Sequence, residues 1–186
     1  MHPTAATKFT SADLLLMPDN GKHYEVIAGE LYVSHQPHWH HQFVCGQLFR
    51  FLQGWSKQSG LGVPNGAPGV IFAEDDEVAP DVVWISPDRL ATALGADGKL
   101  HAAPELVVEV ISPGLANQQR DRQTKLKLYS RRGVREYWIV DWQQQQVEVY
   151  RRTAAELTLL ATLYRTDTLQ SPLLPGFSCE VVTLFL

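Results

Sequence analysis

Hydrophobic residues recur at helical spacing between His40 and Lys57. The positions that share this apolar stripe are Phe43, Val44, Leu48, Phe51, Leu52 and Trp55. Such a period predicts an amphipathic helix of several turns. Nearer the N-terminus, Thr10 to Asp13 before Leu14 predicts a short capped helix. His23 to Val33 predicts a β-hairpin, since two β-rich runs meet at the turn-compatible pair Ala28-Gly29.

A second pattern, of short apolar runs, predicts strands. Leu106 to Ile111 is apolar at every position except Glu109, as expected of a central strand that is buried on both faces. Further strands are predicted at residues 70–72, 81–86, 136–141, 146–151 and 180–185. A polar helix is predicted from Asn117 to Arg131, and Gly133 follows at its C-cap position. Ala91 to Ala103 is expected to form a surface excursion.

This order of elements predicts one α/β domain over residues 1–186, with a mixed β-sheet flanked by helices. The composition agrees, because 45% hydrophobic and 19% charged residues are ordinary values for a globular protein. Cys45 and Cys179 are far apart and in no metal-ligand spacing, which argues against a disulfide framework. Residues 1–20 do not predict a signal peptide, and no apolar run approaches the roughly 20 residues needed to cross a bilayer. We therefore expect a cytoplasmic protein without membrane segments.

Two acids occupy positions in predicted strands where an apolar residue would cost less free energy to bury. Glu109 lies inside the predicted central strand, and Asp81 follows Pro80 at the start of another. A buried ionised carboxylate needs a matching cation, and two carboxylates on neighbouring strands suit Mg²⁺ or Mn²⁺. The alternative interpretations are structural: Asp81 as a turn acid after proline, and Glu109 as the partner of a basic residue in the next helix.

Several blocks of sequence carry a resemblance. They are residues 23–31 (HYEVIAGEL), 79–86 (APDVVWIS), 104–113 (PELVVEVISP), 125–129 (KLKLY) and 133–141 (GVREYWIVD). In this order they resemble the Uma-two family of bacterial restriction-endonuclease-like proteins, over Phe9 to Phe185. The resemblance implies a PD-(D/E)XK nuclease fold and Mg²⁺-dependent cleavage of DNA phosphodiester bonds.

The resemblance also implies roles for particular residues. Asp81 and Glu109 would be catalytic and would hold the metal ion, and Lys125 would be the catalytic lysine. The superfamily's lysine normally stands two residues after the glutamate, where this chain has Ile111. In this family a lysine of the next helix is thought to replace it, and Lys125 matches that position. Ile111 keeps open the alternative of a catalytically inactive nucleic-acid-binding or scaffold protein on the same fold.

Two further residues are auxiliary candidates. Glu25 matches the Tyr-Glu pair of the family's hairpin and could complete the acidic cluster, although an exposed strand acid is the alternative. His41 matches a His-Gln pair at the helix start and is expected to face the cleft. We expect the neighbouring histidines His35, His38 and His40 to lie on the surface, since no matching His or Cys pair predicts a zinc site.

Nucleic-acid contact is predicted from the basic helix that follows the central strand. Its candidates are Arg120, Arg122 and Lys127, and a solvated helix is the alternative. The net charge of −4 argues against tight binding by phosphate neutralisation alone. No basic run interleaved with aromatic residues is evident. A homodimer through the strand residues Tyr137-Trp138 and Val149-Tyr150 is a further hypothesis.

Overall fold

The computed structural model describes residues 7–186, so the first part of the segment considered for a signal peptide, residues 1–6, lies outside the described residues. The strands are β1 (His23–Ile27), β2 (Glu30–Ser34), β3 (Val63–Gly66), β4 (Val70–Ala73), β5 (Asp76–Val78), β6 (Val82–Ile85), β7 (Leu106–Val110), β8 (Glu136–Asp141), β9 (Gln146–Thr153), β10 (Glu156–Leu163), β11 (Thr168–Leu169) and β12 (Cys179–Glu180). The helices are α1 (Ser11–Leu14), α2 (Trp39–Ser59), α3 (Pro87–Ala93), α4 (Leu115–Gln119) and α5 (Leu126–Arg132), with a π-helical segment at Arg120–Lys125 and a 3₁₀ helix at Val181–Leu184.

A six-stranded mixed sheet carries the fold, in the order β10-β9-β8-β7-β6-β3. β7 and β8 are parallel, because the chain between them crosses over through α4 and α5, and the other pairs are antiparallel. The faces of β7 alternate as a strand requires: Val108 packs with α2 on one face, while Val107 packs with α5 on the other. The predicted mixed α/β sheet flanked by helices is confirmed.

A smaller sheet, in the order β2-β1-β5-β4, holds the predicted hairpin. Its turn places Ala28 at φ 53° and Gly29 at φ 79°, which is the left-handed backbone of a tight two-residue hairpin turn. β5 pairs with the other side of β1 and ties the hairpin to the rest of the chain. Glu25, in the middle of β1, is thus held in a strand that pairs with β2 on one side and β5 on the other.

The helix predicted after β7 is present but is not regular. It begins at Leu115, changes to π-helical geometry over Arg120–Lys125, and ends at Arg132. Gly133 follows at φ 86°, as predicted for a C-cap glycine. π-helical turns inside α-helices are often found at functional sites, and this one carries the buried side chains of Asp121 and Lys125.

Three sequence predictions differ from the structure. Of the strand predicted at 180–185, only Glu180 is in a strand, at the end of β12; the rest is wrong, since Val181 and Leu184 lie three residues apart and are both buried by a 3₁₀ helix. The surface excursion at 91–103 is only partly exposed, since Ala93 and Leu100 pack into the core. The dimer interface proposed at residues 137–138 and 149–150 is also wrong, because β8 and β9 lie inside the sheet and bury residues 137, 138 and 149.

Among residues 7–186, no helix combines the length and the apolar character required to span a bilayer. Cys45 and Cys179 are both free thiols.

Candidate active site

Asp81 and Glu109 lie side by side on one face of the large sheet. β6 and β7 are antiparallel with Val82 opposite Val108, so continuing this pairing by one residue places Asp81 opposite Glu109. Residues directly opposite each other in an antiparallel pair project to the same face. The backbone N–H of Val110 donates a hydrogen bond of 2.7 Å to Oδ2 of Asp81, which fixes this carboxylate at the end of β6.

Lys125 joins Glu109 to Glu25. Its Nζ lies 2.9 Å from Oε1 of Glu109 and 3.0 Å from Oε1 of Glu25. The hydroxyl of Tyr129, one helical turn after Lys125, donates a 2.6 Å hydrogen bond to the same oxygen of Glu109. Glu25 is held in turn by the backbone N–H of Ala79 at 2.9 Å. The structural alternative for Glu109, an ion pair with the following helix, therefore describes a real contact, and it is made by the predicted catalytic lysine.

The first turn of α2 supplies His41. Its Nε2 lies 3.3 Å from Oδ2 of Asp81, and its Nδ1 lies 3.6 Å from the sulfur of Cys45. Burial opposes the charging of this imidazole, but the hydrogen bond and the charge of Asp81 outweigh burial and raise the pKa of His41. For Asp81, burial opposes ionisation, while the same contact with His41 holds the pKa of the carboxyl below its usual value.

Burial dominates the electrostatics of Glu109. It raises the pKa of this carboxyl to about 8, although the ammonium of Lys125 opposes the shift. Burial of Lys125 favours its neutral form, but the carboxylates of Glu109 and Glu25 raise the pKa of the ammonium above its ordinary value. Asp121 also has a raised pKa, because it is buried. The carboxyl groups of Glu109 and Asp121 are therefore costly to keep ionised in the absence of a further cation.

One cleft of about 130 Å³ is lined by Glu25, His41, Asp81, Glu109 and Lys125. Its carboxylates outnumber its permanent cations: the carboxylates are Glu25, Asp81, Glu109 and Asp121, and the cations are Lys125 and Arg120. Within residues 7–186, Oδ1 of Asp81 and Oε2 of Glu109 accept no hydrogen bond, and neither is sealed from solvent. Free carboxylate oxygens with a surplus of negative charge fit a hard divalent cation such as Mg²⁺ or Mn²⁺.

A softer ligand set lies at the same place. One ligand atom each of His41, Cys45 and Asp81 falls within 4.8 Å of the others. The sequence indicated no metal-ligand spacing for Cys45, although its position four residues after His41 on a predicted helix signals a shared face. Burial and the nearby carboxylates of Asp81 and Glu109 raise the pKa of the thiol, which keeps it protonated. The oxygen ligands are therefore the better match to a cation.

The predicted nucleic-acid contacts do not form a single face. Arg120 lines the cleft and lies 3.5 Å from Asp121. Arg122 lies 3.2 Å from a carboxylate oxygen of Asp141 and 2.7 Å from one of Glu148, on the side of the helix that packs against β8 and β9. Lys127 is exposed to solvent and does not line the cleft. These three side chains therefore have different surroundings, and nucleic-acid contact by Arg120, Arg122 and Lys127 stays a prediction.

The sequence also failed to indicate a cluster of aromatic rings beside the cleft. The imidazole rings of His38 and His40 both stack on the indole of Trp142, with ring centroids 4.9 and 5.0 Å away. Trp142 follows β8, about 100 residues further along the chain. Only the fold brings these rings together.

Comparison with known proteins agrees with this architecture. A family model, Uma2, described as "putative restriction endonuclease", matches residues 11–182. The fold is similar to that of a crystal structure described as a "putative nuclease belonging to DUF820" from Anabaena variabilis ATCC 29413. The two chains are 17% identical with a TM-score of 0.75, and the match covers 95% of this chain and 97% of the other. The shared architecture is a restriction-endonuclease-like α/β fold. No curated protein matches the sequence.

Proposed function

This chain belongs to the Uma2 family, and on that premise we propose that it is a metal-dependent endonuclease that hydrolyses DNA phosphodiester bonds. One observation carries the proposal: the carboxylates of Asp81 and Glu109 lie on one face of the sheet, beside the buried ammonium of Lys125. Asp81, Glu109 and Lys125 are the proposed catalytic residues.

In this proposal Asp81 and Glu109 hold the cation, through the oxygens that accept no hydrogen bond from the described residues. Bound Mg²⁺ or Mn²⁺ would supply Lewis-acid polarisation of the scissile phosphate and would acidify a water molecule. The hydrogen bond from Val110 and the contact with His41 keep Asp81 ionised and oriented. His41 is therefore proposed as a positioning residue.

Lys125 is proposed to stabilise negative charge that develops on the phosphate. An ammonium has three N–H donors: one donates to Glu109 at 2.9 Å, and Glu25, 3.0 Å away as an ion-pair partner, engages at most one more. The third remains for a phosphate oxygen or for the attacking water, and a preorganised donor of this kind typically supplies about 100-fold or more in rate. Glu25 acts by holding the ammonium in place, with its own position fixed by β1.

A protein that binds nucleic acid without cutting it is the second candidate. It is favoured by Ile111, which occupies the position where the superfamily carries its lysine. The endonuclease is favoured because Lys125 places an ammonium against the same glutamate, 2.9 Å from Oε1.

The test is cleavage of supercoiled plasmid in Mg²⁺ or Mn²⁺, compared with EDTA. We expect metal-dependent nicking by the wild type, and loss of about 100-fold or more in Asp81→Asn and Lys125→Met. Asp88→Asn is the matched control, because Asp88 is an exposed acid on α3 outside the cleft. If the wild type fails to cut with either metal, or if Asp81→Asn cuts at the wild-type rate, the proposal is wrong.

A further inference from the structure

A second cavity, of about 340 Å³, shares helix α2 with the cleft. His40 lines this cavity while the adjacent His41 lines the cleft, so the first turn of α2 stands between them. Trp142, in the cavity wall, donates a 3.0 Å hydrogen bond from Nε1 to the carbonyl of Ile111, which is flanked in sequence by cleft residues. We call this cavity the aromatic pocket.

The wall of the aromatic pocket combines rings with a free amide. Its rings are those of His40, Phe43, Trp142 and Phe185. The amide of Gln143 is exposed and makes no side-chain hydrogen bond with the residues that the structure describes, while its backbone N–H is fixed by Asp141 at 3.0 Å. None of the side chains that line the pocket is that of an Asp, Glu, Lys or Arg. A flat, uncharged group with hydrogen-bonding edges fits this chemistry, and a phosphate does not.

We propose that the aromatic pocket binds one unpaired nucleobase of the strand whose phosphate lies between Asp81 and Glu109. The inference rests on the proposed nuclease function. Unstacked bases are bound by aromatic side chains and by amide groups that meet their Watson–Crick edges. His40 and His41, in the first turn of α2, line the pocket and the cleft respectively, and in this proposal one strand runs from the cleft past this turn to the pocket.

This inference also accounts for the charge of the protein. The chain has a net charge of −4, and its Arg122 is neutralised by two carboxylates. Neutralisation of DNA phosphates therefore adds little to its affinity for DNA. Stacking of a base supplies affinity that does not depend on cationic side chains. The substrate class that follows is single-stranded DNA, or duplex DNA with an unpaired nucleotide near the scissile phosphate.

The experiment measures binding without divalent metal, so that cleavage plays no part. Labelled single-stranded oligonucleotides of ten nucleotides carry one abasic position, moved along the strand, and anisotropy gives the affinity of each. We expect one position at which the abasic residue weakens binding by about 5- to 100-fold, the range that a stacked base supplies. In the double variant His40→Ala/Gln143→Ala the intact strand binds more weakly, and the abasic effect falls to less than twofold. Gln144→Ala, an exposed neighbour outside the pocket, keeps the wild-type pattern.

Thermal melting checks that the double variant is folded, and Gln143→Ala alone, at an exposed position, repeats the test at lower risk to the fold. Absence of oligonucleotide binding, uniform affinity along the abasic series, or an undiminished abasic effect in the variants would overturn the inference. Position-dependent binding by a protein that cuts no DNA would support the pocket and contradict the nuclease. DNA cleavage by a protein whose affinity is the same for every abasic position would support the nuclease and contradict the pocket.

Discussion

Lys125 gives a prediction whose size can be worked out from the structure. Its side chain is 3% exposed, and it lies against the carboxylates of Glu109 and Glu25, which are 4% and 8% exposed. Lys125→Met keeps much of the apolar stem and removes the ammonium. Breaking a buried ion pair by removing one partner typically costs about 3–5 kcal/mol, because the remaining charge is left without compensation. We expect the free energy of unfolding to fall by about that amount.

Urea unfolding followed by circular dichroism measures this loss directly. In a chain of this length each kcal/mol corresponds to about 2–4 °C in Tm, so the variant should melt roughly 6–20 °C lower. Lys127→Met is the matched control, since Lys127 is exposed two residues away, and it should change stability by no more than about 0.5 kcal/mol. The double variant Lys125→Met/Glu109→Gln should recover part of the loss, because it also removes a stranded charge. A loss below about 1 kcal/mol in Lys125→Met, indistinguishable from the control, would refute this description of the site.

Further predictions concern backbone and capping positions, each measured by urea unfolding. Gly62→Ala should destabilise by about 1–3 kcal/mol, because a Cβ there would lie 2.5 Å from the carbonyl of Ile85. Gly54→Ala, in an open position of α2, should stabilise by about 0.5–1 kcal/mol, and equal effects of the two changes would contradict the packing described. Arg152→Met should cost about 2–4 kcal/mol, because this guanidinium donates to three backbone carbonyls around the end of α5 and to that of Ala155 in the β9–β10 turn. Arg135→Met, at an exposed position, should not. Ala28→Asn should stabilise by about 0.5–1 kcal/mol, since Asn tolerates the positive φ of this turn better than Ala, and a loss of stability would count against the turn geometry.

Elements with a strong local pattern were predictable from the sequence. The apolar stripe of α2 and the nearly uniform run of β7 each specify their own burial, and Gly133 marks the end of α5. Of the strands that were missed, β3 and β5 lack such a pattern. β5 is three residues long with two acids, and β3 contains a proline, so pairing with neighbours rather than local preference decides both.

The candidate site shows the same division. A lone acid in an apolar strand pointed to Glu109, and its closeness to Asp81 follows from adjacent strands. The contacts of Glu25 with Lys125 depend on how the small sheet lies over the large one, which no sequence spacing encodes. The stacking of Trp142 on residues of α2 is equally non-local, and the π-helical segment has no sequence signal that we recognise.

The most direct test of the account is whether Asp81 and Glu109 share one divalent cation. Isothermal titration calorimetry with Mn²⁺ should give one site per chain in the wild type, and Asp81→Asn and Glu109→Gln should each weaken it by about 10-fold or more. Asp88→Asn should bind as the wild type does. A wild type that takes up no Mn²⁺, or an affinity that survives both cleft substitutions unchanged, would contradict the site described.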